Sequence, residues 1–351
     1  ARWVDRWRSP LLAFGIAELL IGLTAVVIVP LHGQIPLVVQ RLVAAHASDY
    51  TNLLRLQFLL VIAVTIVPTF LMGAIFPLVI RALDTQGSDP GAATGRAYAV
   101  NTVGTIAGSF VAGFILIRSD VLGVQDTIIL GGVLNGLVGA ALLVRMQPAR
   151  GAALVRHALV PVAVLVLIPL VGLGAGKWDP RVLTAAPFLN QTIELAQRQI
   201  VFFAEDVDLT VAVEHPPDHP ELLGLTVNGK PDASTGPDDL PTQLLLGHFP
   251  ALLAEQNRTA CVIGLGSGMT LGALACHPTY ERLDCVEISA GVIQAAAYFN
   301  PYTNHVLTAD PRVRMLRADG RSVLLRAAAA CGVIGAGPWK PWMSGVSNLF
   351  T

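Results

Sequence analysis

Five apolar stretches fill the first half of the chain, at Leu11–Leu31, Leu56–Ile80, Ala97–Ile117, Leu122–Val144 and Ala158–Ala175. Each approaches or exceeds the roughly 20 residues needed to cross a ~30 Å hydrocarbon layer. A segment of that length in hydrocarbon must satisfy its own backbone polar groups, which favours a bundle of helices. Composition agrees, because 53% of the 351 residues are hydrophobic and only 13% are charged, a balance that water-soluble domains seldom reach. The net charge of −1 comes without a clustered Lys/Arg excess, so nucleic acid is excluded as a partner.

Most of these stretches are rich in small residues. In "NTVGTIAGSFVAGF", Gly104 with Gly108 and Ser109 with Gly113 form two small-xxx-small steps, a pattern that predicts close helix packing in lipid. Glu18, Asn101, Asp126 and Asn135 are the polar residues inside the spans. An interhelical hydrogen bond or a position near the interface is the simpler account of each, and a functional intramembrane carboxylate the alternative. Pro68 and Pro77 mark a kinked or broken second span. Arginines precede the first span and flank the second-to-third and fourth-to-fifth connections, which places those connections in the cytoplasm. Five crossings then put the C-terminal half outside. Four unpaired-looking thiols, Cys261, Cys276, Cys285 and Cys331, argue for the reducing side. The side stays undetermined, with a re-entrant stretch or an extra crossing element at Ile35–Ala45 as ways out.

Past Lys177 the composition becomes that of a globular protein. We expect a multi-pass transmembrane domain at 1–176 and a linker with a small antiparallel β subdomain at 177–235. An α/β Rossmann-like, methyltransferase-type domain follows at 236–351, its C-terminal part missing. Short β-rich runs at Ile200–Val213 and Leu222–Val227 precede an Asn-Gly turn in "VNGK", and Asp239–Leu253 predicts a helix. The main signal is "TACVIGLGSGMTLGALACHP": a strand, a loop with Gly264, Gly266 and Gly268, then a helix. Such glycines let the backbone turn tightly and approach a ligand. A second strand ends in Glu287, where a carboxylate meets ribose hydroxyls, and a third ends in Asp319-Gly320, placed for an adenine edge. A strand-end carboxylate in solvent and a helix N-cap are the plain alternatives for Glu287 and Asp319. The spacing of His215, His219, His248 and His277 predicts no metal.

The motifs "VNGKPDASTGPDDLPTQLLLGHFPALL", "VIGLGSGMTLGAL", "VEISAGVIQAA", "DPRVRMLRADGRSVL" and "PWMSGVSNLFT" resemble the membrane-fused spermidine/spermine synthase family, polyamine aminopropyltransferases with an N-terminal multi-spanning domain. "FGIAELLIGL", "PTFLMGAIFPL" and "GRAYAVNTVGTIAGSFVAGF" are similar to its membrane segments. The resemblance implies transfer of an aminopropyl group from decarboxylated S-adenosylmethionine, as co-substrate, to a polyamine. It implies that Gly264, Gly266 and Gly268 line the co-substrate, that Glu287 holds its ribose and that Asp319 with Gly320 holds its adenine. Gln243 matches a cofactor-contacting position and Asp239 the acidic segment of the polyamine side.

The chain departs from that pattern after the fourth strand. Where the family reads like "YDVIISEPSNPW", this chain has "CGVIGAGPWKPW", with Gly332 and Gly337 in place of the expected carboxylates and Lys340 in place of an uncharged residue. The catalytic residues are therefore unassigned. It also reads as truncated at both ends relative to the family. The expectation is a multi-pass protein of the cell inner membrane, active or degenerate, with a polyamine and the lipid bilayer as partners and a homo-oligomer left open. The alternatives are an S-adenosylmethionine-dependent methyltransferase and a non-catalytic, transporter-like protein that binds polyamine or nucleoside.

Overall fold

The computed structural model describes residues 9–46, 48–84, 90–146, 152–187, 194–207, 209–254, 258–327 and 331–337. The chain divides into two compact units, Ala1–Leu183 with Pro187–Ile193, and Thr184–Ala186 with Glu194–Thr351.

The first unit is helical: α1 (Pro10–His32), α2 (Ile35–His46), α3 (Tyr50–Asp84), α4 (Pro90–Val111) running into a π-helical turn at Ala112–Leu116, α5 (Val124–Arg145), α6 (Ala152–Gly174) and the short α7 (Pro180–Leu183). The helices at Pro10–His32, Tyr50–Leu83, Gly91–Leu116 and Val124–Arg145 are long and apolar enough to cross a membrane. Ser9 starts α1 by accepting from the Leu12 N–H at 3.4 Å, a side-chain cap for a free backbone donor. Ile35–Ala45 lies in α2, at 12 residues too short to span. Pro68 and Pro77 sit inside a continuous α3 rather than breaking it.

The close helix packing runs along α1 and α5, not along α4. A Cβ on Gly139 would lie 2.6 Å from the Gly15 carbonyl oxygen, and one on Gly132 would lie 2.6 Å from Val26 Cγ2. At Gly104, Gly108 and Gly113 a Cβ would meet nothing within 4 Å, so the predicted small-residue seam of α4 has no neighbour among the described residues. Asp126 opens α5 and pairs with Lys177 at 2.5 Å, while Asn135 donates to its own helix at the Gly131 carbonyl. Glu18 is buried in α1.

The second unit begins with an antiparallel sheet in the order β1-β2-β3-β4: β1 (Gln199–Glu205), β2 (Thr210–His215), β3 (Gly224–Val227) and β4 (Lys230–Ser234). Asn228 and Gly229 carry φ of +50° and +75°, the geometry of the tight β3–β4 hairpin. Then come α8 (Leu240–Leu253), β5 (Thr259–Ile263), α9 (Met269–Ala275), β6 (Arg282–Glu287), α10 (Ala290–Ala296), α11 (Asn300–Thr303), α12 (Val306–Ala309), β7 (Val313–Arg317), α13 (Gly320–Ala327) and β8 (Val333–Ala336). Strands β5 to β8 form a parallel sheet in the order β7-β6-β5-β8. The runs "TACVI" and "RLDCVE" are buried nearly end to end, as central parallel strands covered on both faces require. Asp284, inside that run, is paired with Arg314 at 3.0 Å.

The cysteines correct the sequence-based expectation of four free thiols. Cys261 on β5 and Cys331, just before β8, form a disulfide with Cα atoms 5.7 Å apart. The ladder pairs Cys261 with Ile334, and the approach to β8, where the Gly332 N–H donates to the Thr259 carbonyl, carries Cys331 alongside β5. Cys276 remains an exposed thiol and Cys285 a buried one.

Candidate cofactor site

In the order β7-β6-β5-β8 the chain walks outward from β5 to β7 and then returns to the other side of β5. That reversal makes the carboxyl ends of the strands around β5 the crevice where open α/β sheets bind ligands.

The loop after β5 depends on its glycines. Gly264, Gly266 and Gly268 have φ of +86°, +55° and +83°, a region that other residues enter only at a cost. At Gly264 and Gly266 a Cβ would meet nothing within 4 Å, so backbone conformation, not crowding, selects glycine there. Space is left open beside the loop.

Glu287 ends β6 and is buried. Its Oε2 accepts from the Leu265 N–H at 2.9 Å and its Oε1 from the Ser289 N–H at 2.9 Å. One carboxylate thus fastens the glycine loop to the end of the next strand, with a lone pair on each oxygen remaining for a ligand hydroxyl. Burial pushes the Glu287 carboxyl above its ordinary value; the backbone hydrogen bonds oppose that and the charge of Asp232 reinforces it.

Gln243, on α8, is also buried. Its Nε2 donates to the Ser234 carbonyl at 2.8 Å and to Asp239 Oδ2 at 3.0 Å, and its Oε1 accepts from the Ser267 hydroxyl at 2.6 Å. Both its N–H groups are therefore engaged by the protein, and the side chain braces the glycine loop against the β4–α8 connection. Asp239 Oδ2 also accepts from the Ser234 N–H at 2.6 Å. The glycine loop is thus held from two sides, at Ser267 by Gln243, which Asp239 joins, and at Leu265 by Glu287.

Asp319 stands slightly apart. It lies at the end of β7, where the Ala318 N–H donates to the Glu287 carbonyl at 3.2 Å. Its carboxylate, however, accepts from the Ser322 N–H at 2.9 Å and the Ser322 hydroxyl at 2.6 Å, so it caps α13, which starts at Gly320. These bonds hold the Asp319 carboxyl below the usual range.

Two further residues carry no sequence motif. Asp206, after β1, accepts at Oδ2 from the Ser289 hydroxyl at 3.2 Å, the Ala290 N–H at 3.0 Å and the Gly291 N–H at 3.4 Å. Partial burial raises its pKa, but the bonds from Val207, Gly291, Ser289 and Ala290 outweigh that and the net shift is downward. Ile288, 57% exposed, offers an apolar surface beside Glu287. Only the fold pairs Asp206 with a loop some eighty residues away, and an isoleucine after an apolar strand carries no signal of exposure.

The two glycines predicted to replace carboxylates flank β8 (Val333–Ala336) at opposite ends, so Gly332 lies before the strand, away from the carboxyl-end crevice, and only Gly337 lies at that crevice's end of the strand. Gly332 donates its N–H to the Thr259 carbonyl at 3.0 Å, and Gly337 directly follows the strand. Lys340 lies outside the described residues. Among the described residues, no group of three or more His, Cys, Asp or Glu could hold a metal ion.

A parallel sheet with a glycine loop, a strand-end glutamate and an Asp-Gly at the next strand makes this part of the chain a methyltransferase-like α/β domain. Residues 240–343 match the spermine/spermidine synthase domain, and relatives named polyamine aminopropyltransferase support that family. The polyamine aminopropyltransferase of Sodalis glossinidius is 30% identical over 87 residues, covering 25% of this chain and 30% of its own length. The putrescine N-methyltransferase 3 of Nicotiana tabacum is 32% identical over 89 residues, 25% of this chain and 23% of its own. The polyamine aminopropyltransferase 2 of Streptomyces coelicolor is 26% identical over 284 residues, 78% of this chain and 46% of its own. The chain spans less than half the length of each of these curated relatives.

Proposed function

We propose that the protein is a membrane-embedded, spermidine synthase-like aminopropyltransferase whose soluble unit holds decarboxylated S-adenosylmethionine for transfer to a polyamine. The observation that carries this reading is the double hydrogen bond of Glu287 to Leu265 and Ser289, which presets a carboxylate at the rim of the glycine loop where ribose hydroxyls bind. Ile288 supplies an apolar face for the base, and Asp232 and Asp239 an acidic approach for a cationic amine. The membrane reading rests on the four long apolar helices and on outward side chains such as Phe70 and Leu173, each 75% exposed, which suit lipid and not water.

Transfer is a displacement at the carbon beside the sulfonium. The amine nitrogen forms a bond to that carbon, the carbon–sulfur bond breaks with its electron pair left on sulfur, and the amine gives up a proton. The protein's part is to align donor and acceptor and to accept that proton. Gly337, at the carboxyl end of β8, offers no carboxylate for the second task, an observation that favours a slow or purely binding domain as the second reading.

Calorimetry on the full chain in detergent, with decarboxylated S-adenosylmethionine and with methylthioadenosine, tests the first reading. Heat of binding to both is expected, weakened in Glu287→Ala. Silence with both ligands overturns it. A transfer assay comparing S-adenosylmethionine with its decarboxylated form then separates methyl from aminopropyl transfer, and binding without turnover supports the second reading.

A further inference from the structure

Granted the membrane reading above, we infer that the soluble unit lies on the oxidising, extracytoplasmic side of the bilayer. Three independent observations lead there.

The first is the disulfide between Cys261 and Cys331. It ties β5, where Cys261 is 4% exposed, to the partly buried Cys331 two residues before the neighbouring parallel strand β8. Two thiols held this way are kept reduced in a glutathione-buffered cytosol and are joined in an oxidising compartment.

The second is a cluster of helix ends in the first unit. The Trp178 indole N–H donates to the Val29 carbonyl at 2.8 Å, and its ring stacks on His32 with centroids 6.2 Å apart. Gln125 Nε2 donates to the Gly176 carbonyl at 2.6 Å, and Gln125 Oε1 accepts from the Trp178 N–H at 2.9 Å. The end of α1, the start of α5 and the exit from α6 therefore share one face of the bundle. The 23-residue α6, apolar over Leu159–Gly174, packs along α5 and α1 and ends among these contacts, so the chain leaves the bundle at the Trp178 face.

The third is charge. In the sequence Arg2, Arg6, Arg8, Arg81, Arg96, Arg145, Arg150 and Arg156 fall before α1, around the α3–α4 connection and around the α5–α6 connection, against Arg41, Arg55, Arg118, Lys177 and Arg181 on the Trp178 side. The arginine-rich ends face the cytoplasm, and the Trp178 face is then external. The disulfide and the charge bias agree on the same side without sharing a residue. A co-substrate assembled from ATP would reach the site only after a translocation step, and the amine it meets would be drawn from outside the cytoplasm.

Labelling of the full chain in intact bacterial cells with a membrane-impermeant maleimide tests this. The exposed thiol of Cys276 and a Val121→Cys variant in the α4–α5 connection are expected to react in intact cells. A Gln147→Cys variant between α5 and α6 is expected to react only after permeabilisation. Protein alkylated at the moment of lysis should carry Cys261 and Cys331 as a disulfide, reactive only after reduction. Shielding of Cys276 in intact cells, or free thiols at Cys261 and Cys331, overturns the inference. Recovery of the chain in the soluble fraction overturns the membrane reading beneath it. Ligand binding in detergent does not depend on sidedness, so this inference and the proposed function fail separately.

Discussion

The carboxylate of Glu287 accepts the backbone N–H of Leu265 at 2.9 Å, joining the ends of two parallel strands at the middle of the glycine loop. The loop's shape and the position of the only buried strand-end carboxylate among the described residues of β5 to β8 are therefore one property, and changing either changes both.

Glu287→Ala removes that carboxylate and leaves two backbone donors without their partner. Hydrogen bonds to charged groups contribute about 1.5–3 kcal/mol each, so affinity for methylthioadenosine is expected to fall by about 10- to 100-fold. Calorimetric titration reads the loss. An unchanged affinity would remove Glu287 from the site.

Asp206 gives a pH signature. Its folded pKa lies below its unfolded value, so its stabilising contribution is complete above the ordinary carboxylate pKa of about 4 and is lost as pH falls through the lowered value. Asp206→Asn is expected to cost on the order of 1 kcal/mol near neutrality, as for loss of an exposed helix cap, and progressively less in acid. Hydrogen exchange at the Ala290 and Gly291 amides, followed against pH in both proteins, checks this. Glu287 has the opposite sign. Its raised pKa makes its contribution favourable at low pH and lost as pH rises through the folded value.

The Cys261–Cys331 bond closes a loop with a sequence separation of 70, for which chain entropy predicts up to about 4 kcal/mol of stabilisation of the soluble unit. The paired Cys261→Ser and Cys331→Ser variant should unfold at lower denaturant than the oxidised protein and match the reduced one. Equal midpoints for oxidised and reduced protein would contradict this.

Glycines in the helical unit separate into two kinds. Gly139→Leu is expected to disrupt α1–α5 packing, because even a Cβ there would lie 2.6 Å from the Gly15 carbonyl oxygen, whereas Gly104→Leu meets open space and should be tolerated. Thermal stability in detergent, followed by size exclusion, distinguishes them; equal sensitivity would place a partner against α4.

Restoring an acid tests why turnover would be slow. Gly337→Glu, at the carboxyl end of β8, is expected to raise aminopropyl transfer by about 100-fold, the lower end of general-base effects. No gain would show that the missing carboxylate is not what limits the reaction.

Local pattern made much of this legible. Helix length and apolarity located α1 and α5 to within two residues at each end and α3 and α4 more coarsely, with ends off by up to six or seven residues, and Asn228-Gly229 announced its hairpin. Glycines that need positive φ and a strand ending in glutamate are short-range signals, so Gly264, Gly266, Gly268 and Glu287 could be named before any coordinates. Long-range pairing was not legible. The small-residue pattern of α4 looked like a packing seam, yet the packed glycines are Gly15, Gly22, Gly132 and Gly139, since helix contact depends on which faces meet.

By itself the sequence determined that the chain has an apolar helical part and an α/β part with nucleoside-type strand ends, because periodicity, length and backbone freedom are written residue by residue. Only the tertiary structure decided that Cys261 meets Cys331, that Gln243 braces Ser267, that Asp206 caps α10 and that the Asp319 carboxylate turns to its own helix. Each of those outcomes depends on strand order and register, which bring distant residues within bonding distance and leave no trace in local composition.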